Sequence, residues 1–381
     1  MILFFLTFFI LFSLVNYYII RRGLQALEIA PKFFRILFLI VVLIASLSYV
    51  FARAVFANSN TDFYDFLLFV GSIWYAFLMY GIIAIILSDI TRFIIKKTKP
   101  YLFEDIQKYK KIKLYTFFVV SIFISGLVLY GYNNAQNIKV KEFFFSFQSE
   151  KSELKNLRIV FFSDSHLTPI NDGVFAEKLI KTVNSLNPDL ILLGGDIIDD
   201  NSNNLNRHNI SEKLKQLRAP LGIFTCNGNH EYIVGIDDAQ QYLEKSNIII
   251  LRDTVLTIAN TIQVISRDDR QRNRFVGSQR KSLKELNENV NKDYPSILLD
   301  HQPFELDSSA YYGVNLHLSG HTHHGQMIPA NLITSMIYEI SWGYGKKENT
   351  HFYVTSGAGT WGPPVKIGTD AEIILFNIKF D

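Results

Sequence analysis

Three histidines fall within four positions in SGHTHHGQ, residues 319–326: His321, His323 and His324. Imidazole is the commonest protein metal ligand, but such a cluster alone also fits a hydrogen-bonded core or a solvated loop. Four other segments give it company. FFSDSH supplies Asp164 and His166, LLGGD supplies Asp196, CNGNHE supplies Asn229 and His230, and LLDHQP supplies His301. In each, an apolar run leads directly into a residue type that binds divalent transition metals. A carboxylate can bridge two cations, and two ions about 3.5–4 Å apart can clamp a phosphoryl group and deliver a hydroxide in line. The i, i+2 spacing of Asp164/His166 and of His321/His323 puts two ligands on one side of an extended segment. Gly194, Gly195, Gly228 and Gly320 precede ligand positions, where the backbone must come close. Each fragment alone has a blander reading, a helix cap for a strand-end Asp or a satisfied core residue for a His. Their joint occurrence in this order is the specific signal.

The elements that must position these residues read as layered α/β from about residue 138 onward. Buried-strand patterns lie at 158–163, 189–194, 222–228, 248–253, 262–267, 296–300, 314–320, 351–357 and 372–378. Helical spacing appears at 175–186, ended by Asn187-Pro188, and at 210–217. The Asn- and Asp-rich stretch 199–209 reads as a surface loop. The candidate ligands fall where strands end, which is where open α/β sheets place their sites.

The first third of the chain differs in kind. Apolar runs at 1–20, 33–57, about 66–90 and 114–133 are each long enough to span a bilayer core, which takes roughly 20 residues. Tyr17, Tyr18, Tyr49, Trp74, Tyr115 and Tyr130 lie within or near their ends, where interfacial aromatics gather. The first run lacks a basic start and a nearby cleavage site, so it is expected to be a retained helix. Arg21, Arg22, Lys32 and Arg35 lie in the first connection, and Arg92, Lys96, Lys97, Lys99, Lys108, Lys110, Lys111 and Lys113 in the third. Positive charge marks cytoplasmic loops, so everything after residue 134 is expected outside the cytoplasm. The expected organisation is a four-helix transmembrane region at 1–134, a linker with a leading strand at 135–157, and a catalytic domain at 158–381.

Among 381 residues the net charge is only +3, which argues against a dedicated nucleic-acid binder. The single cysteine, Cys226, excludes a disulfide scaffold.

The order D-x-H, G-D, G-N-H-E, H-Q-P and G-H-T-H resembles the calcineurin-like metallophosphoesterase family. With LSGHTHxGQ at 318–326 and GTWGPPxxIGT at 359–369, it resembles a membrane-associated bacterial branch. The resemblance covers roughly residues 150–381. It implies two mixed β-sheets packed as a sandwich and flanked by helices, and a site for two divalent ions, Mn, Fe, Zn or Ni. Carried over by motif, Asp164, His166 and His323 would hold one metal. Asn229, His301 and His321 would hold the other, with Asp196 bridging. His230 would act on the substrate, and Asp200 and Glu231 would stand behind the ligands. The implied activity is hydrolysis of phosphate mono- or diesters, or pyrophosphates, by a metal-bridging hydroxide. The anchor suggests envelope or lipid-linked substrates. Rival readings are a non-catalytic membrane module that binds phosphorylated ligands, and a nucleotidase or nuclease. His324 has no motif role and would contact substrate or face solvent. His208, His317 and His351 are expected to be structural. SRDDRQRNR (266–274) reads as a solvated charged loop before a second phosphate contact.

Overall fold

The computed structural model describes residues 2–56, 61–149, 151–170 and 173–381, and the side chains of 2–5 and 8 are not described. Met1 and Ala57, at the ends of the first two apolar runs, and Glu150, in the expected linker, lie outside the described residues. The chain separates into two compact units, Met1–Gly131 and Tyr132–Asp381.

The first unit is helical: α1 (Ile2–Ala26), α2 (Lys32–Val55), α3 (Asp62–Thr98) and α4 (Ile106–Ala135). Helices α2, α3 and α4 are long and apolar enough to cross a membrane. Their outward faces carry exposed Leu47, Ile122 and Phe123, which suit hydrocarbon rather than water. Some polar groups inside are paired: Trp74 Nε1 donates to Asn16 Oδ1 at 2.9 Å, and Arg22 and Tyr18 both reach Asp89.

The second unit contains twelve strands: β1 (Ile138–Phe147), β2 (Asn156–Phe162), β3 (Leu190–Leu193), β4 (Ile223–Thr225), β5 (Ile249–Ile250), β6 (Thr254–Ile258), β7 (Ile262–Ser266), β8 (Ser296–Leu299), β9 (Leu316–Ser319), β10 (Gly343–Lys347), β11 (Thr350–Val354) and β12 (Ala371–Phe380). They form two six-stranded mixed sheets, ordered β1-β12-β2-β3-β4-β5 and β10-β11-β9-β8-β7-β6. Side-chain alternation explains the layering. Val160, Phe162, Ile191 and Leu193 turn to one face of the first sheet, against Phe175, Leu179, Ile180 and Val183 of α5 (Gly173–Ser185). Ile159, Phe161, Leu190 and Leu192 turn to the other face and meet Ile262, Val264, Ile297 and Leu316 of the second sheet. Ile265 and Leu298 face outward onto the short helix Leu283–Asn287. Each fully buried aliphatic or aromatic chain here contributes roughly 1.5–3 kcal/mol of burial. The expected two-sheet sandwich is what folds.

The segment expected as a surface loop, 199–209, instead contains the helix Ser202–Arg207, capped by Asn201. Asn204 and Leu205 of that helix are buried. The strands β6, mostly half-buried, and β10, half-buried in alternation with exposed positions, have weak apolar patterns and were not legible as strands.

Candidate metal centre

Strands β2, β3, β4, β8 and β9 run parallel to a neighbour within their sheets, and their C-terminal ends deliver the candidate ligands. Asp164 and His166 follow β2, Asp196 follows β3, Asn229 and His230 follow β4, His301 follows β8, and His321 and His323 follow β9. The chain turns sharply at each exit. Asp164, His166, Asp196, His321 and His323 all have positive φ, between 41° and 68°. Non-glycine residues held there cost of order 1–3 kcal/mol each, and such strain gathers at functional sites. Close approach also dictates two glycines. A Cβ at Gly228 would stand 2.1 Å from Asp196 Oδ1, and one at Gly320 would stand 2.0 Å from Asp164 Oδ2.

The turns bring two clusters together. Asp164, His166 and His323 form one, and Asp196, His301 and His321 form the other, with all but the half-buried His321 buried. His166 Nε2 and His323 Nε2 lie 3.0 Å apart. His166 Nε2 lies 3.8 Å from Asp196 Oδ2, which ties one cluster to the other. His301 Nδ1 donates to the Gly194 carbonyl at 2.7 Å, so its Nε2 points at Asp196 Oδ2, 3.1 Å away. A ring nitrogen fixed by its opposite nitrogen in this way is the usual arrangement of a ligating imidazole. Asn229 Oδ1 is buried without a hydrogen-bond partner. A buried unsatisfied acceptor costs about 1–3 kcal/mol, unless a cation takes the lone pair. The donor set and this orphaned oxygen fit a pair of divalent ions.

Hydrogen bonds hold the carboxylates. Asp164 accepts from His321 N at 2.9 and 3.0 Å, and Asp196 Oδ1 accepts from His230 N at 2.8 Å. Glu231 is fully buried and stitches two ligand loops together. It accepts from Gly228 N at 2.8 Å, Asp196 N at 3.0 Å and Ile197 N at 2.7 Å. Burial raises the Asp164 pKa, whereas on Asp196 the imidazoles of His301 and His230 outweigh burial and pull it well down. Burial opposes charge on His301, but Asp196 outweighs it and raises that imidazole well above its usual range. Burial, helped by the neighbouring His301, lowers His321 to about 3.

The groups around the two clusters lie as follows in the structure. His230 stands beside the cluster, its ring 4.6 Å from His166 and 6.2 Å from the exposed Trp361. Burial disfavours its charged form, but Asp196 and Asp199 outweigh this and raise its pKa to about 9. The carboxylate that aligns it is Asp199, 2.5 Å from His230 Nδ1 and 3.5 Å from His166 Nδ1. Asp200, expected behind the ligands, accepts from Asn201 and Asn204 at the start of the neighbouring helix. Glu231 does stand behind them. His324 lies outside both clusters, its Nδ1 3.1 Å from Ser341 Oγ and its ring 5.1 Å from Trp342. His317 is buried between Ser309 and Ser319.

Two supporting features escaped the sequence. Lys366 is fully buried, and its Nζ donates to the carbonyls of Ser356, Gly357 and Asp370 at 2.5, 2.7 and 3.0 Å. It holds the turn whose Gly359 N donates to the Asp164 carbonyl at 3.0 Å. The loop SRDDRQRNR is solvated only in its second half: Arg270, Asn273 and Arg274 are exposed, whereas Arg267, Asp268 and Asp269 are buried. Asp268 accepts from Asn227, Tyr232 and Arg252 at 3.0, 2.8 and 3.0 Å, just behind the turn that carries Asn229.

A family model for calcineurin-like phosphoesterase matches residues 157–325. An uncharacterized metallophosphoesterase of Campylobacter jejuni is 30% identical over 97% of this chain and 96% of its own length. Another from Helicobacter pylori is 32% identical over 59% of this chain, which spans only 60% of that relative. A transmembrane protein with metallophosphoesterase domain from Danio rerio is 30% identical over 68% of this chain and 62% of its own length. With the motifs on matching strand ends and a near full-length relative, the chain belongs to the calcineurin-like metallophosphoesterases.

Proposed function

We propose that this chain is a membrane-anchored, dinuclear phosphoesterase. Asp164, His166 and His323 hold one cation, Asn229, His301 and His321 the other, and Asp196 stands between them. The observation that carries this reading is the meeting of two Asp/His clusters at strand ends drawn from both sheets, beside the unpaired Asn229 Oδ1. Two bound divalent ions supply Lewis acidity toward a phosphoryl oxygen and a nucleophilic water near neutral pH. The carboxylate, amide and imidazole donors suit Mn, Fe, Zn or Ni. His230, aligned by Asp199, stabilises developing charge and protonates the leaving oxygen. Glu231 and Lys366 keep the ligand turns from relaxing.

The substrate class is phosphate esters or pyrophosphates presented at the membrane. Three apolar helices support that reading, as does the exposed apolar face of the helix Ala330–Ile337, which follows the His323 turn. Leu332, Ile333, Met336 and Ile337 stand 58, 61, 85 and 58% exposed there. Counting α1 as a fourth span, the lysines and arginines of the first and third connections put residues 1–134 across the cell membrane and the catalytic unit, 158–381, outside the cytoplasm.

The test compares kcat/KM for an acyl-chain phosphate ester with that for a water-soluble ester, in wild type and Met336→Glu. The acyl/soluble ratio should fall about tenfold or more in the variant, since seating a methionine side chain is worth roughly 1.5–3 kcal/mol. An unchanged ratio, or no preference in the wild type, removes the lipid-linked substrate. Digestion of the catalytic unit by protease added to intact spheroplasts checks the orientation, and full protection overturns it.

A further inference from the structure

The helical unit carries a cavity that anchoring alone does not require. It measures about 1100 Å³ and lies among α1, α2, α3 and α4. Small-molecule sites usually occupy about 300–1,000 Å³. On α4 its lining runs from Tyr109 to Ser125, sixteen residue steps or about 24 Å at 1.5 Å per residue. That is most of the roughly 30 Å hydrocarbon thickness of a bilayer.

The lining is sorted along its length. Val42, Ile73, Trp74, Phe117, Val120 and Ile124 make the body apolar. Arg22, Arg92 and Lys113 lie toward one end, with Gln25, Ser88 and Thr91 between them. None of the lining residues is Asp or Glu. The carboxylates that meet these cations, Asp89 and Glu28, are not part of the lining. Asp89 pairs with Arg22 and lies 3.5 Å from Arg92, and Glu28 lies 3.4 Å from Lys113 and 2.7 Å from Lys110. Four cations therefore share two carboxylates. Basic pockets between transmembrane helices, at the level of headgroups, recognise anionic lipid heads.

We infer that this cavity binds an anionic phospholipid, its phosphate against Arg92, Lys113 and Arg22 and its acyl chains along α4 and Trp74. The inference does not rest on the hydrolase reading, because the cavity belongs wholly to the helical unit.

The test uses the full chain in detergent, stripped of endogenous lipid, with phosphatidylglycerol or phosphatidylcholine added back. Native mass spectrometry counts bound lipid. Wild type should hold about one phosphatidylglycerol per chain and prefer it to phosphatidylcholine. Arg92→Gln with Lys113→Gln should weaken binding roughly tenfold or more, since each cation near a lipid surface is worth about a factor of five. Because charge removal can also disturb the helix ends, Ser121→Phe serves as a second variant. It fills the cavity, leaves every charge in place and should abolish the bound lipid. Overturning results are no retained lipid in the wild type, equal affinity for both lipids, unchanged binding in Ser121→Phe, or displacement by inorganic phosphate, which would mark a free-anion site.

Discussion

Asp199→Asn removes one negative charge from between two imidazoles. In the wild type, Asp199 Oδ1 meets His230 Nδ1 at 2.5 Å, and Oδ2 lies 3.5 Å from His166 Nδ1. Both histidines are nearly buried, so water replaces little of what is lost. Asparagine still accepts from His230 but carries no charge. A hydrogen bond to a charged group is worth about 1.5–3 kcal/mol net, and 1.36 kcal/mol is a factor of ten, so kcat should fall roughly 10- to 100-fold. The second oxygen adds a separate effect. Partners that orient ligating histidines are worth about 10–100-fold in metal affinity or activity, so the metal needed for half-maximal activity should rise as well. The assay is hydrolysis of bis-p-nitrophenyl phosphate across a Mn titration, which separates kcat at saturating metal from apparent affinity. Asp200→Asn is the control, because Asp200 accepts from Asn201 and Asn204 at the start of the helix Ser202–Arg207 and belongs to neither ligand cluster. The reasoning is refuted if Asp199→Asn keeps wild-type kcat and metal requirement, or if Asp200→Asn shows the same loss.

Further outcomes follow from other contacts. Gly320→Ala should abolish metal-dependent activity, since its Cβ would fall 2.0 Å from Asp164 Oδ2 and 2.2 Å from Ser163 Oγ. The accompanying overpacking should cost about 1–3 kcal/mol in denaturant unfolding. Asp268→Asn removes the buried charge that Arg252 faces and that Arg272 shares with Asp253, and stability should fall by about 1–3 kcal/mol. His317 reads out in acid. Burial lowers its pKa from 6.5 to about 4, so the unfolded chain binds a proton first as pH falls. Stability from this group is intact above pH 6.5 and is lost progressively down to about pH 4, to the extent of about 3 kcal/mol at 1.36 kcal/mol per unit. The difference between wild-type and His317→Gln denaturation curves should show that slope; parallel curves would contradict it. Adding Mn to metal-stripped protein should raise Tm, because a ligand at a thousand times its Kd stabilises by about 4 kcal/mol.

Much of the candidate site was legible because each short segment runs from a strongly apolar strand straight into its one or two candidate ligands. FFSDSH, LLGGD and LSGHTH each announce both the strand and the turn, and the structure turns them with positive φ at Asp164, Asp196 and His321. The apolar strands of the sandwich were legible for the same reason, as nearly every position along β2, β3, β8 and β9 is buried. What stayed hidden depends on partners distant in the chain. In DIIDD, nothing local separates Asp199 from Asp200. The inward turn of Asp199 is set when its N–H donates to the Leu167 carbonyl at 3.1 Å. Lys366 reads as a surface lysine until three carbonyls surround it. Arg267, Asp268 and Arg272 of SRDDRQRNR read as solvated because their partners, Asn227, Tyr232, Arg252, Asp253 and Asp300, come from other segments.

The most direct measurement is metal content together with hydrolysis of p-nitrophenyl phosphate and bis-p-nitrophenyl phosphate by the detergent-purified full chain. Mn, Zn and Ni are each supplied, and Asp196→Ala is run alongside. The predicted result is two ions per chain and metal-dependent release that disappears in the variant. Two bound ions with no hydrolysis of these esters or of an acyl-chain phosphate, or release that persists undiminished in Asp196→Ala, would contradict it.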